Sequence, residues 1–151
     1  MHKQLIKILV IDNENEFYEF VKECITLEAL SFYGEDCECI EVESSNQYAI
    51  SSYDYDIYVV VEQDNEPNSG DKVISIVNDI RNEKGLGPHV FVVTNNNNPT
   101  LLKKLIEVNI TGLIDKDEKD CSVLAKSMHR AFETRIAICR ICELKEKIEK
   151  I

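Results

Sequence analysis

The chain has 151 residues, 44% of them hydrophobic, which suits one domain with an ordinary core. A formal charge of −11 argues against the basic patch that nucleic acid or an anionic membrane requires, so neither partner is expected. Five glycines and three prolines exclude a linker-rich or low-complexity chain.

No apolar run approaches the roughly 18 residues of a membrane span, and the opening MHKQLIKILVID has no signal-peptide pattern. A cytoplasmic protein is the expectation. In that setting the six cysteines read as small hydrophobic side chains rather than disulfides. Cys37-x-Cys39 and Cys139-x-x-Cys142 would hold zinc only if the fold brought them together.

In chain order, Lys7–Ile11 reads as a short buried strand ending in Asp12-Asn13-Glu14. Phe17, Phe20, Val21, Cys24 and Ile25 then recur at helical spacing and predict a helix from about Glu14 to Ala29. Glu38–Val42 alternates and predicts a second strand, with Cys37 and Cys39 on one face. A short helix is expected over Ser45–Ser52, packed through Tyr48, Ala49 and Ile50.

The third strand, Ile57–Val61, is apolar throughout and breaks into Glu62-Gln63-Asp64. Such a run is buried on both faces, as in parallel sheets covered by helices, whose sites lie beyond the carboxyl ends of the strands. Val73, Ile74, Ile76, Val77 and Ile80 predict the next helix, ended by Gly85, Gly87 and Pro88. His89–Thr94 is another apolar strand.

Asn98-Pro99 supplies an N-cap and a first-turn proline for a helix carrying Leu101, Leu102, Leu105, Ile106 and Val108. Thr111–Ile114 is the last strand, and from about Asp120 the pattern is helical to the terminus. The alternation predicts a flavodoxin-like, doubly wound parallel sheet with an extended C-terminal helix. No glycine-rich phosphate loop follows the first strand, which argues against nucleotide binding. His2, His89 and His129 are scattered without a catalytic partner.

KILVID followed by Asn13, Ala49, Tyr55-Asp56, Thr94 and Lys116 appear in the order and rhythm of a response-regulator receiver domain, which the chain resembles over about Lys7–Phe132. The resemblance implies a (βα)5 fold with strand order 2-1-3-4-5. It also implies a phosphoacceptor aspartate on the third strand, Mg²⁺ on acids after the first, a lysine on the acyl phosphate and a hydroxyl that senses it. Lys116 and Thr94 stand in the lysine and hydroxyl positions, and Asp12 fits one of the paired acids. The second acid is Asn13, and Asp117 replaces the proline that usually follows the lysine.

The acceptor position has two readings. Counting five from Asp56 lands on Val61, and counting eight back from Gly70 lands on Glu62. Asp64 is the nearest aspartate, and Glu62 at the site would resemble a phosphorylated state. The leading expectation is a degenerate, pseudo-receiver signalling module that is not an enzyme and acts through protein partners. The alternative is a working phosphoacceptor that uses Asp64 or Glu62 with Mg²⁺ held by Asp12 and Glu62. An unrelated flavodoxin-like ligand-binding domain is the third reading.

The chain divides by this reading into a receiver-like unit, 1–132, and a helical extension, 133–151. Along the extension Ala137, Ile141, Leu144, Ile148 and Ile151 follow alternating spacings of four and three, a coiled-coil rhythm. A parallel homodimer joined along that seam is expected.

Overall fold

The strands richest in consecutive apolar residues are the inner ones of a five-stranded parallel sheet, in the order β2-β1-β3-β4-β5. The computed structural model describes residues 6–12, 16–33, 40–45, 54–63, 67–95 and 98–150. The elements are β1 (Ile6–Ile11), α1 (Glu16–Tyr33), β2 (Ile40–Ser45), β3 (Ile57–Val61) and α2 (Ser69–Lys84), then β4 (His89–Thr94), α3 (Pro99–Glu107), β5 (Gly112–Asp115) and α4 (Cys121–Glu149). Sheet order and crossover pattern are those of the flavodoxin-like fold.

Alternation along β3 divides the core in two. Ile57, Val59 and Val61 face a layer built from Phe17 and Val21 of α1 and Leu124 and Met128 of α4. Tyr58 and Val60 face the other layer, with Val73, Val77 and Ile80 of α2 and Leu101 and Leu105 of α3. All five β3 residues are buried. Burying each such side chain contributes about 1.5–3 kcal/mol, so β3 anchors both layers.

The amino-terminal ends of the strands are tied by backbone and carboxylate. Asp56 accepts the Lys7 N–H at 3.0 Å through Oδ2, and its own N–H donates to the Lys7 carbonyl at 2.9 Å. Its carbonyl accepts the His89 N–H at 2.9 Å. The Tyr55-Asp56 pair therefore aligns β1, β3 and β4 at their starts. Nearby, Arg81 near the end of α2 donates to the carbonyls of Asn109, Pro88 and Gly85. Partial burial lowers the pKa of this guanidinium.

Arg81→Ala removes a fork that lysine cannot reproduce. The expected loss is about 2 kcal/mol, from hydrogen bonds made by a charged group. Urea unfolding of Arg81→Ala and Arg81→Lys checks this, and lysine should recover less than half of the loss.

The structure moves several expected boundaries. The second strand, described over Ile40–Ser45, runs three residues past the expected end at Val42, each residue from Ile6 to Ile11 having a partner on it. Cys37 and Cys39 precede it, outside the described residues. Ser45 pairs with Ile11, so it belongs to β2 and not to a following helix. The rest of that expected helix, with Tyr48, Ala49 and Ile50, also lies outside the described residues.

The first helix continues four residues beyond Ala29, to Tyr33. On α3 the buried stripe is Leu101 and Leu105, one turn apart, and Ile106 is turned out, 70% exposed. Asn98 caps α3 as expected, its Oδ1 accepting the Thr100 N–H at 2.9 Å. The last helix runs unbroken from Cys121 to Glu149, through the boundary expected at 132/133.

The reading of the cysteines as simple hydrophobic side chains is corrected for two of them. Cys24 of α1 and Cys121 of α4 form a disulfide, their Cα atoms 4.9 Å apart. The two helices pack on the same sheet face, which brings together residues separated by 97 positions. Nothing local in the chain signals that pairing.

Candidate functional site

Three polar side chains are buried among the described residues: Asp12, Glu62 and Thr94. All three stand at the carboxyl ends of strands, β1, β3 and β4. Buried polar groups need hydrogen bonds, so their partners define what this edge does.

Asp12 follows β1 directly, and its backbone N–H donates to the Ser45 carbonyl at 3.1 Å. Its Oδ2 accepts the Phe17 N–H at 2.8 Å, satisfying an otherwise orphan donor in the first turn of α1. Its Oδ1 accepts the Gln63 side-chain amide at 3.3 Å. That amide also donates to the Val61 carbonyl at 2.9 Å.

Glu62 extends β3 by one ladder bond, its N–H donating to the Val93 carbonyl at 2.9 Å. Its Oε1 accepts the Thr94 hydroxyl at 2.9 Å. Lys116, just past β5, donates its ammonium to the Glu62 carbonyl at 2.5 Å. The Lys116 N–H donates to the Thr94 carbonyl at 3.3 Å. Glu62, Thr94 and Lys116 thus form one bonded group, while Asp12 is joined to β3 through Gln63.

The second oxygen of Glu62, Oε2, is buried without a hydrogen-bond partner. A Cβ on Gly70 would lie 3.6 Å from it and 3.2 Å from Leu101 Cδ1. Glycine at that position lets α2 approach this corner closely. An unsatisfied buried oxygen costs about 1–3 kcal/mol.

The two counts for the acceptor position resolve into a statement about the strand. β3 is unbroken, paired with β1 through Ile11↔Val60 and with β4 through Val61↔Val93. One residue past Ile11↔Val60, Asp12 comes level with Val61. Val61 is 4% exposed and points into the α1–α4 layer. Glu62, the next residue, turns to the opposite layer, where it meets Thr94. Asp64 lies outside the described residues, as do Asn13 and Glu14.

Mg²⁺ requires near-octahedral oxygen ligation. The donors among the described residues do not converge as that requires: an amide faces Asp12 Oδ1, and the Glu62 carboxylate bonds Thr94. Among the described residues no group of three or more His, Cys, Asp or Glu is placed to hold a metal. His129 forms a pair with Glu133, 2.8 Å apart, on the surface of α4. Gln63 is the participant that the residue pattern did not single out for a role. Its signal was position alone, immediately after the acidic residue that ends β3.

The fold is the one seen in response-regulator receiver domains. Scans of the sequence against family models and against curated proteins find no match. Solved structures do match. A response regulator from Thermotoga maritima superposes with a TM-score of 0.66 at 13% identity, over 85% of this chain and 98% of that one. HP1043, an orphan response regulator of H. pylori, gives 0.63 at 12% identity, over 87% and 98%. RcsB from Salmonella enterica serovar Typhimurium, solved on promoter rprA with phosphomimetic BeF3−, gives 0.59 at 14% identity, over 82% and 66%. No helix among the described residues is long and apolar enough to cross a membrane.

Proposed function

We propose that the chain is a receiver-like signal-transduction module of two-component type that acts through protein contacts and no longer accepts a phosphoryl group. One observation carries the reading: the residue level with Asp12 at the end of β3 is the buried, apolar Val61. An acceptor there must be a nucleophilic carboxylate, and valine has none.

The neighbouring geometry supports the same reading. The Thr94 hydroxyl, which in a working receiver answers to a phosphate, is held by a resident carboxylate on Glu62. Lys116 holds a backbone carbonyl of the same residue. The site thereby rests permanently in one arrangement, with Glu62 supplying negative charge where phosphate would otherwise arrive.

Incubation with acetyl phosphate and Mg²⁺ tests the proposal by intact mass. No added phosphate is expected. A mass shift abolished by Asp64→Asn or Glu62→Gln would overturn it and establish a working acceptor.

The partner surface we assign is α4, with a second copy of the chain as occupant. Ile141, Leu144 and Ile148 are 53%, 58% and 68% exposed, and Ala137 is exposed on the same stripe. Ile151, the last residue of the seam, lies outside the described residues. The spacings of four and three match a parallel two-stranded seam, which would cover this apolar surface. Ile106, Leu113 and Val123, on the three successive elements at the β5 edge, are also exposed and add area for a protein partner. Light scattering at tens of micromolar should give a dimer for the full chain and a monomer for a truncation ending at Glu133. A monomeric full chain removes the self-association part of the proposal.

A further inference from the structure

We propose that Cys24–Cys121 is a reversible thiol–disulfide switch on α4, worked by a low-molecular-weight thiol–disulfide couple such as glutathione. The inference goes beyond the signalling reading and stands without it.

The bond joins the middle of α1 to the first residue of α4. Both connected segments lead directly to the site. Asp12 caps the start of α1 through the Phe17 N–H. Lys116, five residues before Cys121, holds the Glu62 carbonyl. Closing the bond therefore ties α1, whose first turn Asp12 caps, to the start of α4, five residues after Lys116.

The two sulfurs differ in access. Cys24 is 1% exposed within the α1–α4 layer, whereas Cys121 is only half-buried at its margin. An attacking thiolate therefore reaches Cys121 first. In the first step a small thiol loses its proton and its sulfur bonds to Sγ of Cys121. The protein S–S bond breaks, its electron pair leaves on Cys24 Sγ, and that sulfur takes a proton. In the second step another small thiolate bonds to the small-molecule sulfur of the mixed disulfide. Cys121 leaves as a thiolate and is protonated. The sum is one protein disulfide and two small thiols giving one protein dithiol and one small disulfide. The reverse sequence closes the switch.

Local charge assists the departure of Cys121. It occupies the first position of α4, where the backbone N–H groups favour an anion. Lys119 lies two residues away, its ammonium 5.8 Å and 5.6 Å from the ring centroids of Phe17 and Phe20. The Asp120 carboxylate is engaged by the Ser122 N–H and hydroxyl, each at 2.9 Å.

Opening the bond leaves the helix in place. Leu124, Met128 and Ala131 stay buried on the same sheet face and hold the next turns of α4. What is released is the first turn, with the Leu124 N–H that bonds the Asp120 carbonyl at 3.2 Å, and with it the connection carrying Lys116.

The test uses the full chain in glutathione buffers of varied ratio, with free thiols trapped by iodoacetamide and mapped by digestion. The disulfide peptide joining Cys24 to Cys121 should fall from nearly all to nearly none across the series and return when the ratio is restored. In hydrogen exchange, amides of the segment 117–127 should exchange at least tenfold faster in the reduced protein, through a local opening whose rate is independent of low urea, unlike that of the buried α2 amides, which follow global stability. A bond that persists at every ratio, one that never forms, or identical exchange in both states overturns the proposal. Cys24→Ala/Cys121→Ala should copy the reduced protein and ignore the buffer. If that variant does not fold, the titration and exchange on the unaltered chain decide alone.

Discussion

Cys24→Ala together with Cys121→Ala is expected to lower the free energy of unfolding by about 4 kcal/mol. A cross-link between positions 97 residues apart closes most of the domain into one loop. In the chain-entropy account a loop of about 100 residues loses between 4 and 5 kcal/mol of unfolded-state freedom, and measured bonds reach somewhat less. Domains hold roughly 5–15 kcal/mol in total, so the variant should fold while sitting much nearer its limit. For a chain of this size the melting temperature should drop by roughly 10 °C. Urea unfolding of the unaltered protein with and without reductant provides the comparison. Reductant should move its midpoint toward that of the double variant and leave the variant's own midpoint unchanged. A loss below about 1 kcal/mol would mean that the bond closes no loop in solution.

Val61→Asp is expected to destabilise the fold by about 3–5 kcal/mol, the penalty of an uncompensated buried charge. Val61 faces Phe17, Val21 and Met128 in the α1–α4 layer. An aspartate there would also stand level with Asp12, adding like-charge repulsion. Glu62→Asp provides the contrast. It shortens a side chain that already meets Thr94, and the main effect is a longer or lost hydrogen bond worth about 1 kcal/mol. Equilibrium unfolding of the two variants separates the two counts for the end of β3. If Glu62→Asp proves the more destabilising, Val61 has been placed on the wrong face.

How far the residues alone reached depended on the kind of signal. The runs Ile57–Val61 and Val90–Val93 are β-branched or aromatic in every place, so their burial on both faces was legible. From two such strands and the alternation with helices a parallel sheet followed, while its strand order came from the resemblance to receiver domains. Strand ends were harder. Glu38–Val42 alternates, and the pattern contains no mark where pairing ends; the partners of β1 carry it on to Ser45.

At the site, Asp12, Thr94 and Lys116 were legible as strand-end residues because apolar runs stop at them. Which residue faced them was not. Two counts from fixed points disagreed by one, and a shift of one reverses the face of a strand. The structure resolves this through pairing with β1 and β4, a non-local fact. The Cys24–Cys121 bond was invisible for the same reason. Composition favoured reduced thiols, and proximity across 97 residues is a property of the finished sheet.

The continuity of α4 has a mechanical consequence. Its 29 residues span about 43 Å at the rise of an α-helix, and the last buried one among the described residues is Ala131. Beyond it the described residues of the helix are exposed. A reorientation of only about 10° at Ala131 would carry the end of the helix, about 27 Å away, through roughly 5 Å, close to one helical pitch. Ile141, Leu144 and Ile148 lie along that stretch, so motions too small to disturb the packing near Cys121 are magnified where two copies would have to align. Helix length amplifies motion, and inserting or deleting a whole heptad after Glu133 would change the amplitude of the swing while preserving the azimuth of the stripe.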